Sequence, residues 1–360
     1  MEATKPARHV SAILGATIAI AVGASVYAAD RIVPIDGPWE AGKFKFEDKE
    51  KKTRRSLSGI ACPGEGVACL VVFDEGVVAH YVRLTASGYS IENDAVRLRE
   101  TQDELDAEAA TTDGKRYYVA GSHSAKRKDC ESNPGSRHLL RFDVNESTGK
   151  AKYSADGRLA NYADTEALWS LMSSKDELRD YVGERKCLGT KPPPEVPQLR
   201  GQRGVNIEGL AAKNGMLHVG FRGPSMADGT VPILSVDAVG IFADREPKGS
   251  VTMLRLGKGR GVRDLAAIGQ GILILAGPDD DSGDTGWTLA VWDGVVKEGA
   301  VVEPKVLADL DLSGVKLRGC DEELKPEAVA VAKEADRTLE LVIMSDGMCD
   351  GGPLKFVIPR

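Results

Sequence analysis

Four short runs in this chain open on an acidic residue and continue with small and apolar ones: Glu108-Ala-Ala, Glu208-Gly-Leu-Ala-Ala, Asp264-Leu-Ala-Ala and Glu327-Ala-Val-Ala-Val. Arginines stand near them, at Arg203, Arg222, Arg260 and Arg263. Carboxylates gathered in one place can hold a hard cation through oxygen ligands. Guanidinium forks gathered there can instead hold an anion. A structural alternative needs no ligand: each acid bonds backbone amides of a neighbouring segment or pairs with an arginine. All three readings stay open at this level. His123 falls in a loop that the same organisation brings nearby, as do Asp279 and Asp346. The acidic run Asp279-Asp-Asp-Ser-Gly-Asp284 makes Asp279, Asp281 and Asp346 candidate ligands for a divalent cation such as calcium. That run departs from the EF-hand pattern, with Gly283 fifth and Ala290 twelfth, and a solvated acidic turn explains it as well. Gly257-Lys-Gly-Arg-Gly261 offers backbone amides to a phosphate but lacks the P-loop spacing. Nucleophilic chemistry has less support. Neither Gly-x-Ser-x-Gly nor His-Glu-x-x-His occurs. Ser122-His123-Ser124 puts hydroxyls beside an imidazole, but neighbours along a strand point to opposite sides. His80, His138 and His218 lie in strand patterns and read as structural, and Ser147-Thr-Gly-Lys150 reads as a hairpin turn.

Residues spread so widely converge only if a repeat brings them together. After each acidic opening comes a turn and then a β-run ending in a Gly-rich loop: Tyr117–Gly121, Leu217–Pro224, Ile272–Pro278 and Leu341–Gly347. A weaker copy opens the series at Ser58-Gly-Ile-Ala and Cys69–Gly76. The third copy divides by period and turn signals into Ile207–Ala212, Met216–Arg222, Val231–Asp237 and Ser250–Leu256, with Asn214-Gly215 as the first turn. The fourth divides into Arg263–Ala267, Ile272–Ala276, Trp287–Trp292 and Val301–Leu312. In the second, Lys150–Ser154 is expected as the outermost strand. The pattern predicts an all-β chain, a five-bladed β-propeller, with six blades as the alternative. The acids then stand near one mouth of the central channel, beside the connecting loops. Residues 155–200 break the β pattern as a helical and Pro-rich insertion, with helix expected around 163–183, Leu168, Leu171 and Met172 on one face, and Ser174-Lys-Asp-Glu177 as a capping box. The last copy ends at Leu354–Ile358. The alternating run Lys43-Phe-Lys-Phe-Glu47 is expected to supply its outer strand, closing one domain over residues 29–360.

Residues 1–28 read as an export signal, with Lys5 and Arg8 ahead of an apolar stretch from Val10 to Ala24 and small residues at Val26-Tyr-Ala28. A membrane anchor is the alternative, although Gly15, Thr17, Gly23 and Ser25 dilute the stretch below the ~20 strongly apolar residues a spanning helix needs. No further span is expected after cleavage. Removing Lys5, Arg8 and Glu2 takes the net charge from −7 to −8, which argues against a nucleic-acid surface. All six cysteines follow the signal, and an even number in an exported chain suggests disulfides. The propeller reading selects Cys62–Cys69 across the turn of the first unit, Cys130–Cys187 between a loop and the insertion, and Cys320–Cys349 within the last blade.

Gly204-Val-Asn-Ile-Glu-Gly-Leu-Ala211, Val219-Gly-Phe-Arg-Gly-Pro224, Arg260-Gly-Val-Arg-Asp-Leu265 and Ile274-Leu-Ala-Gly-Pro278 resemble a bacterial family known as domain of unknown function 3616. The resemblance extends from about Ser58 onward and implies a fold without an activity. More distantly, the acidic-Gly-Leu-Ala openings look like those of the esterase-like phytase propellers, in the repeat rather than in a catalytic set. The expectation is therefore a periplasmic or secreted, monomeric propeller whose charged channel mouth takes a small anionic ligand or a protein partner. The rival expectation is a divalent-cation-dependent hydrolase of phosphate or other esters, using the carboxylates as metal ligands.

Overall fold

The computed structural model describes residues 1, 2, 29–42, 45, 46, 52–101, 103–188, 203–243, 247–279 and 283–360. The proposed export segment, the Pro-rich stretch and Asp281 therefore fall almost wholly or wholly outside the described residues. A short strand β1 (Arg31–Ile32) and a turn of helix α1 (Lys52–Arg55) precede five small sheets. Blade one holds β2 (Leu57–Ala61), β3 (Cys69–Phe73), β4 (Val78–Thr85) and β5 (Gly88–Arg97). Blade two holds β6 (Ala107–Thr112), β7 (Arg116–Gly121), β8 (Leu139–Asp143) and β9 (Ala163–Thr165), and helix α2 (Ala167–Ser173) comes directly after. Blade three holds β10 (Asn206–Lys213), β11 (Met216–Gly223), β12 (Thr230–Asp237) and, after helix α3 (Gly240–Ala243), β13 (Gly249–Arg255). Blade four has β14 (Arg260–Ile268), β15 (Gly271–Pro278) and β16 (Trp287–Trp292); then β17 (Val301–Val302) leaves to pair with β13 before β18 (Lys305–Leu310) completes it. Blade five is β19 (Lys325–Glu334), β20 (Thr338–Asp346) and β21 (Leu354–Pro359).

The first strands of the blades form a closed ring, β2 on β6, β6 on β10, β10 on β14, β14 on β19 and β19 back on β2. The chain is thus a five-bladed β-propeller. Each blade is covered on both faces by its neighbours, so its central strands read as nearly continuous apolar runs, β15 being buried along its whole length. Five apolar clusters lie one at each seam between blades, and a small sixth gathers Ala125 with the Cys130–Cys187 disulfide. Small residues let the inner strands approach: a Cβ on Gly209 would lie 2.6 Å from Val262 Cγ1 of the next blade. Asn214 and Gly215, at φ 53° and 77°, make the β10–β11 hairpin with the positive φ pair that matches strand twist.

Several boundaries differ from those expected. The outer strand of blade two is Ala163–Thr165, while Lys150–Ser154 forms only isolated bridges, Val144 to Ala151 and Tyr153 to Leu159. The segment 301–312 serves two blades instead of one. In the insertion, Leu168, Leu171 and Met172 are buried on α2. Ser174 ends that helix, its Oγ donating to Leu171 O, so the expected capping box gives way to a single 3-10 turn at Arg179–Tyr181. Outer edges are covered by other segments: β17 lies parallel to β13, and β1 parallel to β18. Along β21, Ile35 N donates to Lys355 O at 2.8 Å, Lys355 N to Asp36 O at 2.9 Å and Trp39 N to Pro353 O at 3.0 Å. The run Lys43–Glu47 lies partly outside the described residues; Phe46 within it is buried at the seam of blades five and one. All three expected disulfides are present, with Cα separations of 4.2 Å for Cys62–Cys69, 5.2 Å for Cys130–Cys187 and 6.0 Å for Cys320–Cys349.

Candidate functional site

Each inner strand carries one β-bulge near its start. The pairing register slips across Ser58, Glu108, Glu208, Arg263 and Glu327, leaving that residue without a cross-strand partner. A bulge bends the strand and re-aims the side chain of the extra residue. Five bulges in equivalent places therefore set a ring of serine, three glutamates and one arginine at one end of the channel. The ring differs from the sequence expectation by one residue in blade four. Asp264 comes one residue after the bulge and points into the wall: its Oδ1 accepts from Leu265 N and its Oδ2 from Val329 N of blade five, each at 2.7 Å. Asp264 is thus the acid that meets the structural alternative, and burial holds its carboxyl well above the usual range.

A second set of side chains comes from the ends of the second strands, each one residue past the partner of the residue before the bulge, in the pairs Leu57 with Phe73, Ala107 with Gly121, Ile207 with Phe221 and Pro326 with Ser345. These are Asp74, Ser122, Arg222 and Asp346. The two sets interlock. Arg222 Nη1 donates to Glu208 Oε1 at 3.1 Å. Arg263 Nε stands 2.9 Å from Glu208 Oε2, an ion pair out of line for a hydrogen bond, and Arg263 Nη2 donates to Glu327 Oε1. These four residues expose a few per cent of their surface. Ser122 Oγ donates to Asp106 Oδ2, which adds a further acid beside Glu108.

The electrostatics arise from six carboxyls, Asp74, Asp106, Glu108, Glu208, Glu327 and Asp346, facing two guanidiniums. Burial raises Asp106 to about 6, and the Glu104 and Glu208 charges add to it. Glu108 is driven well above the usual carboxylate range by burial and then by Glu208, Asp106 and Asp74. Asp74 rises for the same reason, with Asp346 and Asp106 as its charged neighbours, and its Oδ1 is buried without a hydrogen-bond partner. Asp346 is raised by burial, against the pull of Lys325 at 3.6 Å. Arg263 is lowered to about 10 by burial and by Arg222, and stays protonated at neutral pH.

Of the residues expected at the mouth, the structure gathers Glu108, Glu208, Glu327, Arg222, Arg263 and Asp346. Arg203 donates to Ser225 O at 3.2 Å and Arg260 to Thr285 O at 2.9 Å, both in the loops. Asp279 accepts from Ser225 Oγ. His123 is fully buried at φ 56°; its Nδ1 lies 2.9 Å from Gly121 O, and burial lowers its pKa to about 4, so it is neutral at pH 7. Among the described residues, Cys320, Asp321 and Cys349 form the only group of three potential metal ligands within 4.8 Å, and its two sulfurs are bonded to each other. Sequence reasoning missed Asp74, Asp106, Ser58 and Ser122. A signal for Asp74 does exist: Val71-Val-Phe-Asp74 superposes on Val219-Gly-Phe-Arg222.

A family model described as protein of unknown function (DUF3616) matches residues 143–350. Similar solved structures include the calcium-binding protein regucalcin from Agrobacterium tumefaciens str. C58, 11% identical with a TM-score of 0.39, covering 92% of this chain and 95% of that one. The β-propeller domain of Cps50 (Swd1) from Myceliophteria thermophila is 12% identical with a TM-score of 0.32, over 84% and 71% of the two chains. A gluconolactonase from Xanthomonas campestris is 12% identical with a TM-score of 0.31, over 93% and 99%. Identities this low concern the fold alone. No curated protein matches the chain.

Proposed function

The chain belongs to the DUF3616 family of proteins of unknown function, and we propose that it is an exported propeller that binds a positively charged ligand at the acidic mouth of its channel. The observation that carries this reading is the charge balance. Both arginines of the mouth are buried against Glu208 and Glu327, so an anion finds its countercharges committed. Asp74, Asp106 and Glu108 have pKa values raised by burial and by the neighbouring carboxylates, with Arg222 pulling against the rise only at Glu108, which is the state a bound cation relieves. Calcium draws six to eight oxygens into close range, and no three described carboxylates of the mouth lie within 4.8 Å of one another. An ammonium or guanidinium group fits better, because it directs separate hydrogen bonds to separated carboxylates. Three disulfides support a periplasmic or secreted setting, where such bonds persist. Thermal unfolding with spermidine, calcium chloride or sodium phosphate tests the reading. Spermidine should raise the midpoint of the wild type by mass action and act less on Glu108→Gln. A rise with phosphate and none with spermidine would overturn it.

A second reading, ester hydrolysis at the same mouth, rests on Asp106, whose pKa of about 6 suits proton exchange near neutrality. It requires turnover of a p-nitrophenyl ester or phosphate by the wild type that is lost in Asp106→Asn; equal rates in both proteins would exclude it.

A further inference from the structure

On the outer rim of the seam between blades one and two lies a cleft of about 1130 Å³, lined by none of the residues of the channel mouth. One wall is the end of β5 and the segment after it. The other is a tight hairpin off blade two, in which Tyr153 bridges Leu159 and Ser154 N donates to Arg158 O at 2.9 Å, with Asn161 and Tyr162 just beyond. Two features of its lining are unusual together. Tyr153 and Tyr162 are 54% and 39% exposed, so two aromatic surfaces face water inside a concavity. The charges of the lining cancel: Arg97, Arg99 and Arg158 face Glu100, Asp156 and Asp164.

We propose that this cleft binds a neutral oligosaccharide. Balanced charge gives no preference for an ion of either sign. It supplies instead a mixture of fork-shaped donors and acceptors, which is what pairs of sugar hydroxyls require, since each hydroxyl both donates and accepts. Donors remain available: Arg97 Nη2 is used by Thr101 O at 3.1 Å, and the Arg158 side chain is 84% exposed with its nearest carboxylate oxygen 3.9 Å away. Asn161 commits its amide nitrogen to Asp143 at 2.7 Å and keeps its carbonyl oxygen. Asp164 is held in place from behind by His138 at 2.6 Å and Arg99 at 3.4 Å, so the site is ordered before a ligand arrives. The tyrosine rings offer electron-rich faces to the C–H surfaces of sugar rings. The volume exceeds that of ordinary small-molecule sites, ~300–1,000 Å³, and suits several linked rings.

Calorimetric titration of the full chain with cellohexaose, xylohexaose and maltohexaose tests this, with oligogalacturonate as the charged comparison. At least one neutral hexasaccharide should bind with a Kd of about 1 mM or tighter, near −4 kcal/mol. Tyr153→Ala and Tyr162→Ala, both at exposed positions, should each weaken it about tenfold or more with an unchanged melting midpoint, whereas Tyr162→Phe should keep most of the affinity. No binding by any neutral sugar, binding of the uronide alone, or wild-type affinity in both alanine variants would overturn the proposal. None of these outcomes depends on the channel mouth.

Discussion

Arg263 occupies in blade four the bulge position that Glu108, Glu208 and Glu327 occupy in theirs. The exchange of sign ties the ring together, because one guanidinium meets the glutamates of the blades on both sides. Replacing it by an apolar residue of similar length takes from the buried Glu327 its arginine and leaves the buried Glu208 with Arg222 alone. Arg263→Met should therefore cost roughly 3–5 kcal/mol in denaturant unfolding; a change under about 1 kcal/mol would show that the pairs are not coupled as described. Asp106 carries a pH signature. Its folded pKa of about 6 stands above the ordinary aspartate value of 3.8. Below pH about 4 the group is protonated in both states, so it changes nothing. Between about 4 and 6 the folded chain holds the proton more tightly, so stability falls as pH rises, and above 6 the loss is complete. Asp106→Asn, which also tolerates the positive φ there, should gain about 3 kcal/mol at pH 7.5 and little at pH 4. Equal gains at both pH values would place the effect elsewhere. The carboxylate and arginine types of the mouth are legible in the sequence, but there Asp264 looks like the equivalent of Glu208. A bulge shifts the register by one residue without marking the sequence, and the acidic side chain next to Arg263 masks the shift.

At the scale of elements, the repeat is legible because each blade begins with the same small, apolar strand, and inner strands can close a ring only with residues such as Gly209 and Gly59 at the contact. The three cysteine pairs come from the same arrangement. The outer strands are legible unevenly: Ser250–Leu256 matches β13 to within a residue, whereas the three-residue β9 and the division of 301–312 between β17 and β18 are not read. Sequence-distant segments cover the outer edges: β17 on β13, β1 on β18, and residues 35–39 on β21. Pairing of this kind leaves no local periodicity. We expect the covering segments to protect edges that would otherwise recruit another chain. Deleting residues 29–39 should convert the protein to dimers or larger species in light scattering. A deletion variant that stays monomeric with an unchanged melting midpoint would mean that these contacts are dispensable to closure.

The whole molecule is a ring closed by its inner strands, with covered outer edges, whose channel mouth holds more carboxyl groups than it can ionise cheaply. Such an excess is stabilised by protons at low pH and, in our reading, by a cationic ligand at neutral pH. Among the described residues no helix is long and apolar enough to cross a membrane. Ligand and proton are linked at the mouth. A cation arriving among Asp74, Asp106 and Glu108 must lower their raised pKa values, so binding near pH 6 has to expel protons. Calorimetric titration of spermidine into the protein at pH 6, in two buffers of different ionisation enthalpy, reads the number of protons directly. Net release is expected at pH 6, fading by pH 8 and diminished in Asp106→Asn. Binding with no proton release, or with uptake, would contradict a cation site built from these carboxyls.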